Sequence, residues 1–133
     1  MEISQINVLA VLVASISRFV LGGIWYGPVF GKAWMQETGI TEEKAKASNM
    51  LRIFGLTFAA SLVIAFCLAF FLGMGSSLQS GVRYGFLIGF GWVAMSMATN
   101  DLFEQRSFKL FAINCGYHII AFVIMGAILG AWH

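Results

Sequence analysis

The chain has 133 residues, of which 59% are hydrophobic and 11% charged, with a formal net charge of +2. A soluble domain carries about a quarter charged residues, so this composition belongs to a membrane protein and leaves no polar stretch long enough for a second, soluble domain. The basic residues are few and scattered, so the chain bears no electrostatic footprint for a nucleic-acid partner and no reason to expect an acidic substrate.

The N-terminus, "MEISQINVLAVLVASIS", starts acidic and flows into Arg18 and a longer apolar run. A cleaved leader needs a basic start, a short apolar core and a small-residue cleavage site, so this segment reads as retained. It opens the first of four apolar runs, Ile6 to Tyr26, Ile53 to Gly73, Val82 to Phe103 and Phe108 to Trp132. Each has about 20 residues or more, enough at a rise of 1.5 Å per residue to cross a hydrocarbon core about 30 Å thick. The predicted fold is an all-α integral membrane four-helix bundle. It is a single transmembrane domain over 1–133, with helices at about 5–27, 53–74, 81–103 and 108–131 and an amphipathic cytoplasmic loop over 28–52. A soluble bundle would show polar stripes, and "VIAFCLAFFL" has none.

Arg18 sits about two thirds of the way along the first helix, where a charge costs roughly 2.5–3.5 kcal/mol on an insertion scale. It needs a partner or a wet path. The third helix brings Asn100 and Asp101 towards the same end, and the fourth returns with Asn114, Tyr117 and His118. By depth, Arg18, Asn100, Asp101, Asn114 and His118 belong to the cytoplasmic half; Asn114 and His118, four apart, share a helix face, and the adjacent Tyr117 can supply a hydroxyl. Two readings stand. In one, Asp101 or Asn100 satisfies Arg18, while Asn114 and His118 tie the fourth helix to a neighbour. In the other, the cluster lines a cavity that binds an anion or polar headgroup through Arg18.

The stretch "LGGIWYGPVFGKAW" follows, with the chain's one proline. Pro28 fixes φ and lacks an N–H, which predicts a helix exit near Gly27. Trp25, Tyr26, Lys32 and Trp34 then form an interfacial rim, or a lid over any cytoplasmic cavity. In the loop beyond, Thr41 can cap a short surface helix that has Glu42 and Glu43 in its first turn. The loop carries Lys32, Lys44, Lys46 and Arg52, and the "EQRSFK" turn adds Arg106 and Lys109, against Arg83 alone on the other side. That bias predicts that both loops face the cytoplasm and both termini the periplasm of a bacterial inner membrane. Short turns between the later helices make them antiparallel neighbours in sequence.

Gly81, Gly85 and Gly89 form a four-residue ladder on the third helix, and Thr57, Ser61, Ala65, Ala69 and Gly73 repeat the spacing on the second. The two grooves are expected to pack together within one subunit; the competing use of the ladder is a subunit interface in a homo-oligomer. Cys67 and Cys115 lie inside apolar runs and read as buried hydrophobes. No metal-ligand spacing joins them to His118 or His133, and Ser96 and Asp101 do not frame a nucleophile, so no metal, cofactor or catalytic set is expected.

The blocks "FVLGGIWYGPVFGKAWM", "GITEEKAK" and "TNDLFEQRSFKLFAINCGYHIIAFVIMGAILGAW" resemble the bacterial membrane family known as domain of unknown function 1761, over nearly the whole chain. The motif positions are Gly22, Trp25, Tyr26, Pro28, Gly31, Lys32 and Trp34, then Thr99, Asn100, Phe103, Glu104, Arg106, Lys109, Asn114, Gly116, Tyr117 and Trp132. The resemblance implies the four-helix layout and no activity. The functional expectation is a small multi-pass protein of structural or ligand-binding character. Its partners would be the lipid bilayer, further copies of itself, and a lipid or small anionic ligand. The alternative is an oligomeric transporter or channel for a small polar or anionic solute.

Overall fold

The computed structural model describes residues 3–133, and among these the secondary structure is entirely helical. A single turn at Ile3–Gln5 precedes α1, Val8–Val29, the first membrane span. Two short helices follow, α2 over Gly31–Thr38 and α3 over Glu42–Ala47. The other three spans are α4, Met50–Leu72; α5, Leu78–Phe103; and α6, Phe108–Ala131. The four spans are long and apolar enough to cross a bilayer, and the chain is an all-helical membrane four-helix bundle.

Local chemistry sets the helix starts. Asn7, Asn49 and Ser107 each accept a hydrogen bond from a first-turn amide, at 3.1 Å in all three cases. Thr41 does the same for α3, accepting from the Lys44 amide at 3.2 Å. Ser77 and Ser80 cap α5 reciprocally. These caps are why α4 starts at Met50 and α5 at Leu78, a turn before the apolar runs that suggest 53 and 81.

Two spans depart from regular α geometry. Residues Trp25–Val29 close α1 as a π-helical turn, in which the Phe30 N–H donates to the Trp25 carbonyl at 2.8 Å. This wider turn carries Pro28, so the span runs on to Val29, past the exit expected at Gly27. In α5 the segment Leu87–Ala94 is also π-helical, which shifts the rotational phase of everything after it.

The centre of the bundle is α6: 44% of its membrane window is buried, against 11% for α5. It packs on α5 most extensively, then on α1, which also packs on α4. The glycine ladder of α5 faces α6, and the expected partner, α4, is not the one it meets. A Cβ on Gly81 would strike the Gly126 carbonyl, one on Gly85 the Phe122 carbonyl, and one on Gly89 would lie 3.0 Å from the Ile119 Cα. Gly126 and Gly130 are equally closed by the Gly81 and Ser77 carbonyls. Backbone therefore lies on backbone, which only small residues permit. The ladder's full length is occupied within one chain.

The small residues of α4 serve α1 instead. Ser61, Ala65 and Ala69 are buried with Ala10, Ala14 and Ser15, and the Ser15 hydroxyl donates to the Val11 carbonyl at 2.8 Å and lies 3.4 Å from that of Ser61. Leu68, Phe122, Met125 and Leu129 complete the core. With α5 drawn to α6 and α4 drawn to α1, these consecutive spans meet mainly where Phe71 touches Tyr84 and Trp92. An apolar groove of about 380 Å³ separates them, lined by Val63, Cys67, Ile88 and Trp92 among others.

Candidate functional site

The site begins with Arg18, which α1 turns inwards: its residue is 6% exposed. Its Nη2 donates to His118 Nδ1 at 2.8 Å. The guanidinium carbon lies 5.1 Å from the centre of the Tyr117 ring and 5.5 Å from that of Phe122, within the range of cation–π attraction. These are two aromatic faces on α6. Tyr117 is fixed in turn, since its hydroxyl donates to the Arg18 carbonyl at 3.0 Å. Gly22, one turn along α1, makes room for it: a Cβ there would sit 3.3 Å from the Tyr117 oxygen.

The arginine fixes the histidine's tautomer. A guanidinium has donors only, so Nδ1 must accept, and the imidazole proton is on Nε2. His118 is therefore a neutral ring with one further N–H to give. Arg18 itself is incompletely satisfied, because its Nη1 is buried without a hydrogen-bond partner. Among the described residues no carboxylate lies within ion-pair distance of it.

Asn100 and Asp101 do not join this layer. Asn100 is exposed, and Asp101 lies 4.0 Å from Arg106, with its second carboxylate oxygen buried and unpartnered. The expected Arg18–Asp101 or Arg18–Asn100 pairing is replaced by Arg18–His118. Depth explains this: Asp101 is two residues from the end of α5, whereas His118 is ten residues into α6, about 12 Å deeper along the axis. Asp101 stays half-buried near the turn between α5 and α6, where Arg106 is its charged neighbour.

A second polar layer lies one turn nearer the end that carries α2. The Tyr26 hydroxyl donates to Asn114 Oδ1 at 2.7 Å, and the Trp25 indole N–H donates to the Ile113 carbonyl at 2.8 Å. Trp25 rests on Gly116, where a Cβ would lie 3.0 Å from the indole. Both rings, read from the sequence as interfacial rim, are half-buried and reach across to α6. Pro28 and Lys32 are exposed, and Trp34 sets its edge on Tyr26 with ring centres 6.0 Å apart.

Sequence reasoning missed Phe122 and the Trp25 bond. Phe122 follows His118 by four residues and so shares its face of α6; that spacing could have found it. Nothing in the sequence announces which carbonyl the Trp25 indole reaches. Among the described residues no three His, Cys, Asp or Glu side chains gather as metal ligands would.

Chemically, the site is rich in donors and poor in acceptors. The Tyr26 and Tyr117 protons are already given to acceptors of the bundle, which leaves Arg18 Nη1, His118 Nε2–H and the Asn114 amide N–H groups as donors. Such a site can tie α1 to α6, and it can accept an anion. A family model described as "Protein of unknown function (DUF1761)" matches residues 9–130. No curated protein and no solved structure matches the chain.

Proposed function

The chain belongs to the DUF1761 family, and on that premise we propose that this multi-pass membrane protein is a ligand-binding bundle whose ligand is an anionic group held by Arg18. One observation carries the reading: a buried arginine that has, among the described residues, no counter-charge and an unpartnered Nη1. A charge at such depth is costly, and an anion beside Nη1 offsets that cost. The neutral His118 adds no second positive charge and keeps the guanidinium in place. The anion is a small free one or the phosphate of a lipid headgroup; both present the same oxygen chemistry.

The proposed setting is a bacterial inner membrane with both termini periplasmic, supported by the basic residues around α2, α3 and the α5–α6 turn. The layer of Arg18 and His118 then opens towards the cytoplasm. The second reading is an oligomeric transporter or channel for a small anionic solute, with Arg18 as its selective residue. Assembly would be needed, because α5 and α6 close backbone to backbone and leave no path between them.

Thermal unfolding of the purified protein in gluconate buffer tests the proposal. Chloride, nitrate or phosphate, and separately phosphatidylglycerol against phosphatidylcholine, are added as ligands. Binding at a hundredfold excess over Kd stabilises by about 2.7 kcal/mol. The wild type is expected to gain stability from one of these arms, and Arg18→Met to gain none. An equal gain in Arg18→Met, or none in the wild type, refutes the assignment.

A further inference from the structure

We infer that α2 is a lid over the Arg18–His118 layer, held shut by the edge of Trp34 on Tyr26, and that ligand exchange takes place through the face of the bundle that α2 covers. The inference rests on the anion reading above and adds its route of access.

An aromatic column leads from that face to the arginine. Trp34 meets Tyr26 edge-on at 6.0 Å, Tyr26 meets Tyr117 at 5.4 Å, and the Arg18 guanidinium lies 5.1 Å from the centre of Tyr117. Tyr26 is the central member, because its hydroxyl also holds Asn114. While it stays there it screens Tyr117 and Arg18 from the α2 side. Two other approaches are closed: the Phe122 ring covers the guanidinium at 5.5 Å, and Ser15 and Ser61 seal α1 against α4.

α2 itself is built to move. It has eight residues, none of them fully buried and Lys32 and Gln36 exposed, so its hold on the bundle is only partial. A glycine stands at each end. Gly39 adopts φ 77°, in the left-handed region. At Gly31 a Cβ would come 2.7 Å from the Tyr26 carbonyl, so the backbone there passes directly over the residue the lid must release. The π-helical turn of α1 adjoins it and contains Pro28, which has no N–H to anchor it. Rotation about these two glycines lifts Trp34 from Tyr26, and Tyr26 then swings aside by breaking its bond to Asn114 and its ring contact with Tyr117.

Thiol modification in sealed vesicles of both orientations tests this, using the chain with Cys67→Ser, Cys115→Ser and His118→Cys. The probes are sulfonatoethyl methanethiosulfonate, an anion, and its trimethylammonioethyl counterpart, a cation. Loss of one aromatic edge contact, in Trp34→Ala, is expected to raise the modification rate at position 118 about fivefold to tenfold, from the α2 side only. Trp34→Phe, which restores an edge, is expected to return it towards the starting rate. An unchanged rate in Trp34→Ala, or entry from the opposite face, overturns the lid. The anion reading fails separately: it requires the anionic reagent to outpace the cationic one and Arg18→Met to abolish that preference. Should the His118→Cys chain not fold, the buried Ala121→Cys, three residues further along α6, reports with the same outcomes.

Discussion

Replacing Gly85 by alanine asks whether α5 and α6 touch along their backbones. In a free helix the change would stabilise, by about 1 kcal/mol of helix propensity. Here the new methyl group meets the Phe122 carbonyl at a distance no Cβ tolerates and lies 3.2 Å from the Val123 Cα. Both obstacles are backbone, so no side-chain rotation relieves them. The helices must part, and because Gly81 and Gly126 close the same seam one turn away, the separation spreads along it. Overpacking of this kind costs typically 1–3 kcal/mol, which exceeds the gain in propensity. Gly23 provides the control, since nothing lies within 4 Å of a Cβ placed there. Gly23→Ala is expected to be neutral or stabilising by about 0.5–1 kcal/mol. Reversible unfolding in mixed detergent micelles, followed by tryptophan fluorescence, measures both variants. Equal stabilities for Gly85→Ala and Gly23→Ala would show that α6 does not sit on the ladder.

Three further outcomes follow from the same contacts. Gly116→Ala places a methyl 3.0 Å from the Trp25 ring, so the indole is displaced from the Ile113 carbonyl, and a red shift of tryptophan emission reports it. Tyr26→Phe and Asn114→Leu each break the bond between α1 and α6, and a double-mutant cycle should return a coupling of about 0.6 kcal/mol, with a ceiling near 1.7; zero coupling would place the two groups apart. Cys67, expected from its apolar run to be buried, is instead exposed in the groove where α4 and α5 part, whereas Cys115 is buried against α5, its Sγ 3.8 Å from the Ala94 carbonyl. A membrane-soluble maleimide is therefore expected to modify Cys67 in the folded protein and Cys115 only after unfolding, which mass spectrometry distinguishes.

Length and hydropathy suffice to read four spans from the sequence, because a helix that crosses a bilayer must satisfy its own backbone and remain apolar for its whole length. Rotation about the helix axes is what they leave open. Arg18, Asn114 and His118 could be placed at similar depth from residue counts alone, but the choice between His118 and Asp101 as the arginine's partner depends on which way α5 turns. The π-helical segment Leu87–Ala94 changes that phase ahead of Asp101, and "LIGFGWVA" carries no pattern that distinguishes it from an α-helix. The ladder of Gly81, Gly85 and Gly89 posed the same difficulty. The α4 groove has matching spacing, yet Gly126 and Gly130 of α6 offer less bulk than Ser61 and Ala65, and the closest approach goes to the pair with the smallest residues. Trp25 and Tyr26 were legible as aromatic groups near a membrane boundary. Their inward aim was not, because it follows from the turn around Pro28.

The central claim is that an anion belongs beside the unpartnered Nη1 of Arg18. Crystals grown from a lipid phase in bromide, with diffraction recorded at the bromine absorption edge, test it most directly. The account predicts an anomalous peak in contact with Arg18 Nη1, absent in Arg18→Met. A carboxylate from the same chain or another copy paired with that nitrogen, with no bromide near it, would contradict the account.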